Sequence, residues 1–419
     1  MPAPAMRQEH DSRRLGATHV LDYPGAIRGE NLSRVAFVGT FPPRRCGIAA
    51  FTSDLLEALE PQACSWAVAL DDHPGQHEYP RSVRAAIIMD QKTDYTEAAR
   101  WLNHEADVVS IQHEFGIFGG DDGAYVLDLV RELHVPVVTT LHTVLRKPSP
   151  SQLAVIHELA RHSSRLVVMN GRGRTFLRDV YGIPEQQVAV IPHGIPDLPF
   201  ADPEPYKQRL GLAGRKLILS FGLLSPSKGF EHVIEALPAI AAAHHEALYV
   251  VAGSTHPGEL EHHGERYRRF LEERAADLGV EEHLTFIDRF LPLSELCELL
   301  LAADVYVSPY PAEEQISSGT LAYALGSGTA VISTPYWHAQ ELLRDGNGIL
   351  VPFADPAAIA REAVRLFDDG EARDRLRRQA YESTRTSTWE AVARSYLAVF
   401  DEAIQDGVGR DADSLLVAG

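Results

Sequence analysis

Cysteine is scarce. Cys46, Cys64 and Cys297 are the only three in 419 residues, too few and too scattered for a disulfide framework or a cysteine-built zinc site. That usage fits a reducing compartment, and a cytoplasmic location is expected. Lysine is also rare: of the 39 Lys and Arg residues, lysine occurs only at 92, 147, 207, 216 and 228. No long basic run occurs and the formal net charge is −19. This argues against nucleic acid as a partner, because phosphate-backbone binding depends on clustered Lys and Arg. Long apolar runs are missing as well. No stretch of about eighteen uncharged apolar residues exists, so no transmembrane segment is expected. The arginine-containing N-terminus has no apolar segment behind it of the kind a secretion signal carries. What remains is ordinary globular composition, 45% hydrophobic and 23% charged, enough for two domains at about 100–200 residues each.

Short β-branched runs alternate with longer amphipathic stretches, and the alternation occurs twice. RVAFVG (34–39), RAAIIM (84–89), DVVSI (107–111), PVVTT (136–140), RLVVM (165–169) and QVAVI (187–191) read as buried parallel strands. Helices are expected between them near 49–60, 95–104, 123–133, 151–162 and 171–181. A second series comprises KLILSFG (216–222), ALYVVAG (247–253), HLTFID (283–288), DVYVSPY (304–310), TAVIST (329–334) and GILVPF (348–353). Its helices are expected near 229–243, 259–278, 293–302, 318–326 and 355–369. The pattern predicts an α/β protein of two doubly wound, Rossmann-like domains. PHGIPDLPFADPEPYK (192–207) holds five prolines and little periodicity, the composition of a junction. The expected organisation is therefore a loose arm (1–30), a first domain (31–198), a second domain (199–385), a C-terminal helix (386–406) and a weakly ordered tail (407–419). Ligands of open α/β sheets sit at the carboxyl ends of the strands, which places function in the loops facing an interdomain cleft.

Five of those loops are candidates for chemistry. In PYPAEEQISSGTLAYAL, Ser317, Ser318, Gly319 and Thr320 stand where an apolar helix begins. Free backbone N–H groups and the positive end of the helix dipole would meet there, as an anionic ligand such as phosphate requires. Simple capping by Ser317 or Ser318 is the plain alternative. In FGLLSPSKG, Lys228-Gly229 closes a strand-to-helix turn, and an ammonium retained in so lysine-poor a chain suits a phosphate oxygen. GTFPPRRCGIAAF follows the first strand with Gly39, Arg44, Arg45 and Gly47. It lacks the glycine fingerprint of dinucleotide binding, and admits a phosphate or an acceptor or serves as a plain turn. TTLHTVL places His142 at a strand end facing the cleft. His113-Glu114 in QHEFGIFGG lacks the second histidine of a helical zinc motif, so His113 reads as structural or substrate-lining.

Taken in order, these segments resemble the family 4 glycosyltransferases of the GT-B fold, over about residues 34 to 405. LHT, PHGIPD, the run from DVYVSPY through GTAVISTPYWHAQELLRDGNGILVPF, and STWEAVARSYLAVF near the C-terminus carry the resemblance together with the two glycine turns. The resemblance implies transfer of a hexose from a UDP- or GDP-linked sugar to a sugar, glycoside or lipid-linked acceptor. Configuration would be retained, with no metal and no cofactor besides the nucleotide sugar. It implies that the second domain holds the donor and the first the acceptor, near Arg44, Arg45 and His113. It places Lys228 and Ser317 to Thr320 on the donor diphosphate, with Gly47 allowing the first-domain backbone to approach it. His142 would touch the reacting sugar, and Glu341 matches a family carboxylate. Two departures stand out. Leu223 replaces an arginine common five residues before the lysine, and the family's pair of glutamates falls on Gln315 and Tyr323. Glu314 or Glu313, one or two residues away, would replace the first, Glu314 being the expected one, while the Tyr323 hydroxyl is expected to hold the nucleotide ribose in place of the second. These departures keep open a sugar-nucleotide-binding module without transfer activity, or a nucleotide-sugar epimerase. A phosphorylase would need a pyridoxal-bearing lysine, for which Lys228 on a tight turn is badly placed.

Overall fold

The computed structural model describes residues 19–20 and 32–417, with side chains over 32–407. In the first domain the strands are β1 (His19–Val20), β2 (Arg34–Gly39), β3 (Cys64–Asp71), β4 (Val83–Ile88), β5 (Val108–His113), β6 (Val137–Leu141), β7 (Arg165–Val168) and β8 (Val188–Val190). They form one sheet in the order β1-β4-β3-β2-β5-β6-β7-β8. Only β1, antiparallel to β4, departs from the parallel arrangement. In the second domain β9 (Lys216–Phe221), β10 (Ala247–Ala252), β11 (Leu284–Ile287), β12 (Val305–Ser308), β13 (Ala330–Ser333) and β14 (Ile349–Leu350) pair in the order β11-β10-β9-β12-β13-β14. All are parallel. Helices cover both faces, so the central strands are buried throughout, as VVSIQH is at every position. The order reverses beside β2 in one sheet and beside β9 in the other, and ligand sites of such sheets form at the carboxyl ends of these switch points.

Sequence reading missed β3. Its CSWAVALD run has fewer β-branched residues than its neighbours, yet β3 lies inside the sheet between β4 and β2. Most of the arm expected at 1–30 falls outside the described residues, but His19–Val20 pairs with Ala85–Ala86. The stretch expected as one helix near 259–278 is two, Pro257–His263 and Arg266–Leu278, parted at Gly264 with φ 61°. Three helices were not anticipated: Glu204–Arg209 within the proline-rich junction, Trp337–Leu342 and Gly370–Ser383.

The C-terminal helix runs from Trp389 to Val417, so the tail expected to be loose continues it. Its Val392, Ala393, Tyr396 and Phe400 pack with Phe37, Phe51 and Leu55 of the first domain. The chain crosses between domains twice, and the two passes lie side by side. Ile195 N donates to Ser387 O at 2.9 Å and Trp389 N to Ile195 O at 2.9 Å. A Cβ on Gly194 would lie 2.0 Å from the Trp389 ring, so the crossing is built for glycine. Beyond it, Lys207 and Asp304 form a buried ion pair at 2.6 Å, and Asp304 also accepts from Leu217 N at 2.7 Å. Those bonds satisfy the buried charge and tie the Glu204–Arg209 helix to the second sheet.

Candidate functional site

After β9 the chain turns through a short helical segment, Pro226–Lys228, into Gly229 at φ 68°. A side chain at 229 would be strained by that φ, and its Cβ would lie 2.3 Å from Pro309 O. The close approach brings Lys228 onto Tyr310. Its Nζ donates to Tyr310 Oη at 3.0 Å and lies 4.5 Å from the ring centroid. Tyr310 stacks on Tyr336 with centroids 4.7 Å apart. The network continues from Tyr310 Oη to Thr320 Oγ1 at 3.3 Å and from Thr320 Oγ1 to Ser318 Oγ at 3.1 Å. Burial pushes the Tyr310 phenol up, but the Lys228 ammonium and the two hydroxyls outweigh it and leave it below its ordinary value.

Ser318 caps the helix Gly319–Gly326, its Oγ accepting from Leu321 N at 3.3 Å. Its own N–H donates to His338 Nδ1 at 2.8 Å. The N–H groups of Gly319 and Thr320 meet no acceptor among the described residues, and the first turn carries no acidic side chain. A positively polarised helix end, two open backbone donors and a lysine ammonium thus share one side of the cleft. Gly319 faces the first domain, where a Cβ would lie 2.6 Å from His193 Nε2. Ser317 Oγ contacts Met169 Sδ at 3.0 Å, and Asn170 Nδ2 donates to Ile316 O, so the loop before the helix is held from both domains.

The first-domain wall is built from uncharged imidazoles. His142 follows β6 directly, with Nε2 3.0 Å from Gln112 Oε1 and Phe51 edge-on at 4.9 Å. Gln112 Nε2 donates to Ser110 Oγ at 3.1 Å, which orients the amide so that its oxygen accepts from His142 Nε2–H. The His142 Nδ1 lone pair is left as an acceptor. Burial, with smaller contributions from His193 and His113, lowers His142 to about 3. Burial likewise lowers His338 to about 3, and lowers His193 to about 4 against an opposing hydrogen bond with Gly194 O. His113 is fully buried, stacks on Phe118 at 5.8 Å, and leaves both ring nitrogens without partners. It lies behind the end of β5 rather than on the accessible wall expected of an acceptor contact.

The other expected site residues have the following surroundings. The Tyr323 hydroxyl, expected on a ribose, donates to Asp54 Oδ2 at 2.7 Å and accepts from Trp389 Nε1 at 3.3 Å, joining the domains. Burial pushes Asp54 up to about 6, with the Tyr323 bond pulling the other way. Glu341, expected on the donor, accepts from Gly171 N at 2.8 Å and Arg172 N at 3.3 Å, at the start of the helix Gly171–Asp179. Arg44 pairs with Asp72 at 3.1 Å and donates to Leu70 O at 3.3 Å, both within its own domain. Arg45 is exposed, and a Cβ on Gly47 would meet nothing within 4 Å. Glu314 and Gln315 lie on an exposed loop, where Gln315 Nε2 donates to Ser317 O. Sequence reading passed over His193, His338, Tyr310, Asp54 and Asn170. The one available signal was position, since Asn170, His193 and Tyr310 each follow a strand closely.

A family model described as Glycosyltransferase Family 4 matches residues 47–197, and one described as Glycosyl transferases group 1 matches residues 202–383. The D-inositol 3-phosphate glycosyltransferase of Thermomonospora curvata is 26% identical over 309 residues, covering 67% of this chain and 69% of that protein. D-inositol 3-phosphate glycosyltransferase 1 of Catenulispora acidiphila is 27% identical over 351 residues, covering 79% and 80%. Among solved structures, HepE of Anabaena in complex with UDP superposes with a TM-score of 0.72 at 17% identity, covering 88% of this chain and 100% of that one. Sucrose-phosphate synthase from Thermosynechococcus elongatus gives a TM-score of 0.73 at 17% identity, covering 89% and 100%. At such identities the structural likeness speaks to the fold alone.

Proposed function

The chain belongs to the family 4 glycosyltransferases, with the GT-B fold, and from that premise we propose that it moves a hexose from a UDP- or GDP-linked donor to a sugar, glycoside or lipid-linked acceptor. In this reading the reaction retains anomeric configuration, needs neither metal nor cofactor, and takes place in the cytoplasm. The observation that carries it is the convergence of the open Gly319 and Thr320 N–H groups with Lys228. As the bond from sugar to diphosphate breaks, negative charge grows on the leaving phosphate oxygens. Fixed N–H dipoles and an ammonium stabilise that charge without reorganising, an effect typically worth ~2.7–4 kcal/mol per donor removed. The exposed Glu314–Gln315 loop stands beside this pocket, and His142 offers Nδ1 to a sugar hydroxyl from the opposite wall. The solved relative HepE, crystallised with UDP, is consistent with a nucleotide donor.

A thermal-shift panel of UDP, GDP, ADP and their sugars tests the reading, because a ligand at 100 times its Kd adds about 2.7 kcal/mol of stability. One nucleotide family should raise the melting temperature; silence across the panel contradicts it. A second reading, a binding module without transfer, draws on one observation: Tyr323, at the second paired-glutamate position, is taken up by Asp54 and Trp389. Release of free nucleoside diphosphate that depends on an added acceptor pool would remove it.

A further inference from the structure

We propose that His338 is a direct hydrogen-bond donor to the phosphate of the nucleotide sugar, its Nε2–H standing in for the Ser318 backbone N–H that its Nδ1 occupies. The inference rests on the function proposed above and deepens the same site. At a helix N-terminus that binds an anion, the backbone N–H groups of the cap and first turn are the natural donors. Here the first of them is taken, because Ser318 N lies 2.8 Å from His338 Nδ1. A backbone N–H can only donate, so Nδ1 is the unprotonated nitrogen and the neutral ring carries its hydrogen on Nε2. Burial keeps the ring neutral, which fixes that tautomer across the working pH range.

The ring is also held in place. His338 N donates to Gln315 O at 3.1 Å and Trp337 N to Glu313 O at 3.0 Å, so residues 313–318 and the start of the Trp337–Leu342 helix form one unit. His338 is 2% exposed, and among the described residues no atom accepts from its Nε2–H. A buried donor left open in this way calls for an acceptor from outside. The bond from the Ser318 cap N–H to Nδ1 puts the ring beside the open helix end.

Two substitutions separate the two nitrogens. Asparagine places an oxygen near the Nδ1 position, so His338→Asn keeps the clamp on Ser318 and loses the outward donor. Glutamine carries its amide nitrogen to the Nε2 position, so His338→Gln keeps the outward donor and weakens the clamp. Affinity for inorganic pyrophosphate, UDP and GDP is measured by calorimetry on the full chain, with melting temperature alongside. We expect His338→Asn to melt near the wild type and to bind pyrophosphate about tenfold to a hundredfold more weakly, the loss of one charge-assisted hydrogen bond. His338→Gln should melt lower and recover most of that affinity. In wild-type protein the Nε2-bound proton should shift in nitrogen-detected NMR when pyrophosphate is added, a readout independent of how either variant folds. An unmoved resonance, or a folded His338→Asn with full affinity, overturns the inference and leaves His338 a clamp while the proposed function stands. Failure of the wild type to bind any of pyrophosphate, UDP and GDP overturns the function itself.

Discussion

Two helices present their N-termini to the cleft from opposite domains, and the chain treats them differently. At Gly171–Asp179, Asn170 Oδ1 accepts from Gly173 N at 2.8 Å and Glu341, arriving from the second domain, accepts from Gly171 and Arg172. That helix end is neutralised by the protein's own carboxylate. At Gly319–Gly326 no carboxylate arrives from the described residues, two N–H groups stay open, and Lys228 adds an ammonium through Tyr310 and Thr320. The same backbone chemistry thus makes an interdomain fastening in one place and leaves two donors open in the other. A helix terminus stays open to an anion where the chain withholds its own acid.

The largest effect on that contrast should come from Lys228→Ala. Removing the ammonium should lower kcat/KM by about two to three orders of magnitude while thermal stability stays near the wild type. Unimpaired transfer would erase the distinction between the two helix ends.

The contrast extends to charge state, because the first-domain wall and its surroundings are kept neutral by burial. His113, His142 and His338 are lowered to about 3 and His193 to about 4. Their unfolded values near 6.5 lie above the folded ones. Their contribution is therefore present above pH 6.5 and is lost as pH falls toward 3–4, with a limiting slope of about 1.4 kcal/mol per pH unit for each histidine. Asp54, raised by burial to about 6, works in the opposite sense, its contribution being lost as pH rises through that value. Four histidines outweigh one aspartate, so melting temperature should drop steeply between pH 6.5 and 4. A flat profile over that range would mean the imidazoles are accessible and charged.

Tyr323→Phe removes the hydrogen bond that opposes the burial of Asp54. Loss of a bond to a charged group should cost about 1.5–3 kcal/mol at pH 7, and Asp54 should titrate higher than in the wild type. If Tyr323 held the ribose instead, stability would be unchanged and nucleotide affinity would fall. The smallest effect is expected from Glu341→Gln, which removes the anion from the occupied helix end. About 0.5–2 kcal/mol of stability should be lost, with donor affinity unaltered. A fall in donor affinity comparable to that of Lys228→Ala would put Glu341 in the binding pocket.

Legibility of the sequence followed the range of the interactions. Buried parallel strands declare themselves as short apolar runs because both faces are covered, which is why β2, β5, β6 and β9 stood out. β3 did not, since Ser65, Trp66 and Ala67 interrupt the β-branched pattern. Lys228 and the Ser317–Thr320 loop drew notice as candidates because their chemistry is local: one charged side chain on a turn, and hydroxyls at a helix start. The contacts of Glu341 and Tyr323 within the protein could not be read from the sequence, because their partners lie 170 and 269 residues away. Nothing in the residue types near position 341 indicates that Gly171 will take the carboxylate. His338 escaped notice for the same reason, its role depending on a loop 20 residues earlier that folds back onto it.

The central claim is that Gly319, Thr320 and Lys228 jointly hold the donor diphosphate, and an amide-resolved NMR titration of isotope-labelled protein with UDP and GDP addresses it most directly. The account predicts that the Gly319 and Thr320 amide protons move downfield together as one nucleotide saturates, while those of Gly171 and Arg172 stay still. Movement at Gly171 and Arg172 with Gly319 and Thr320 unchanged would contradict it.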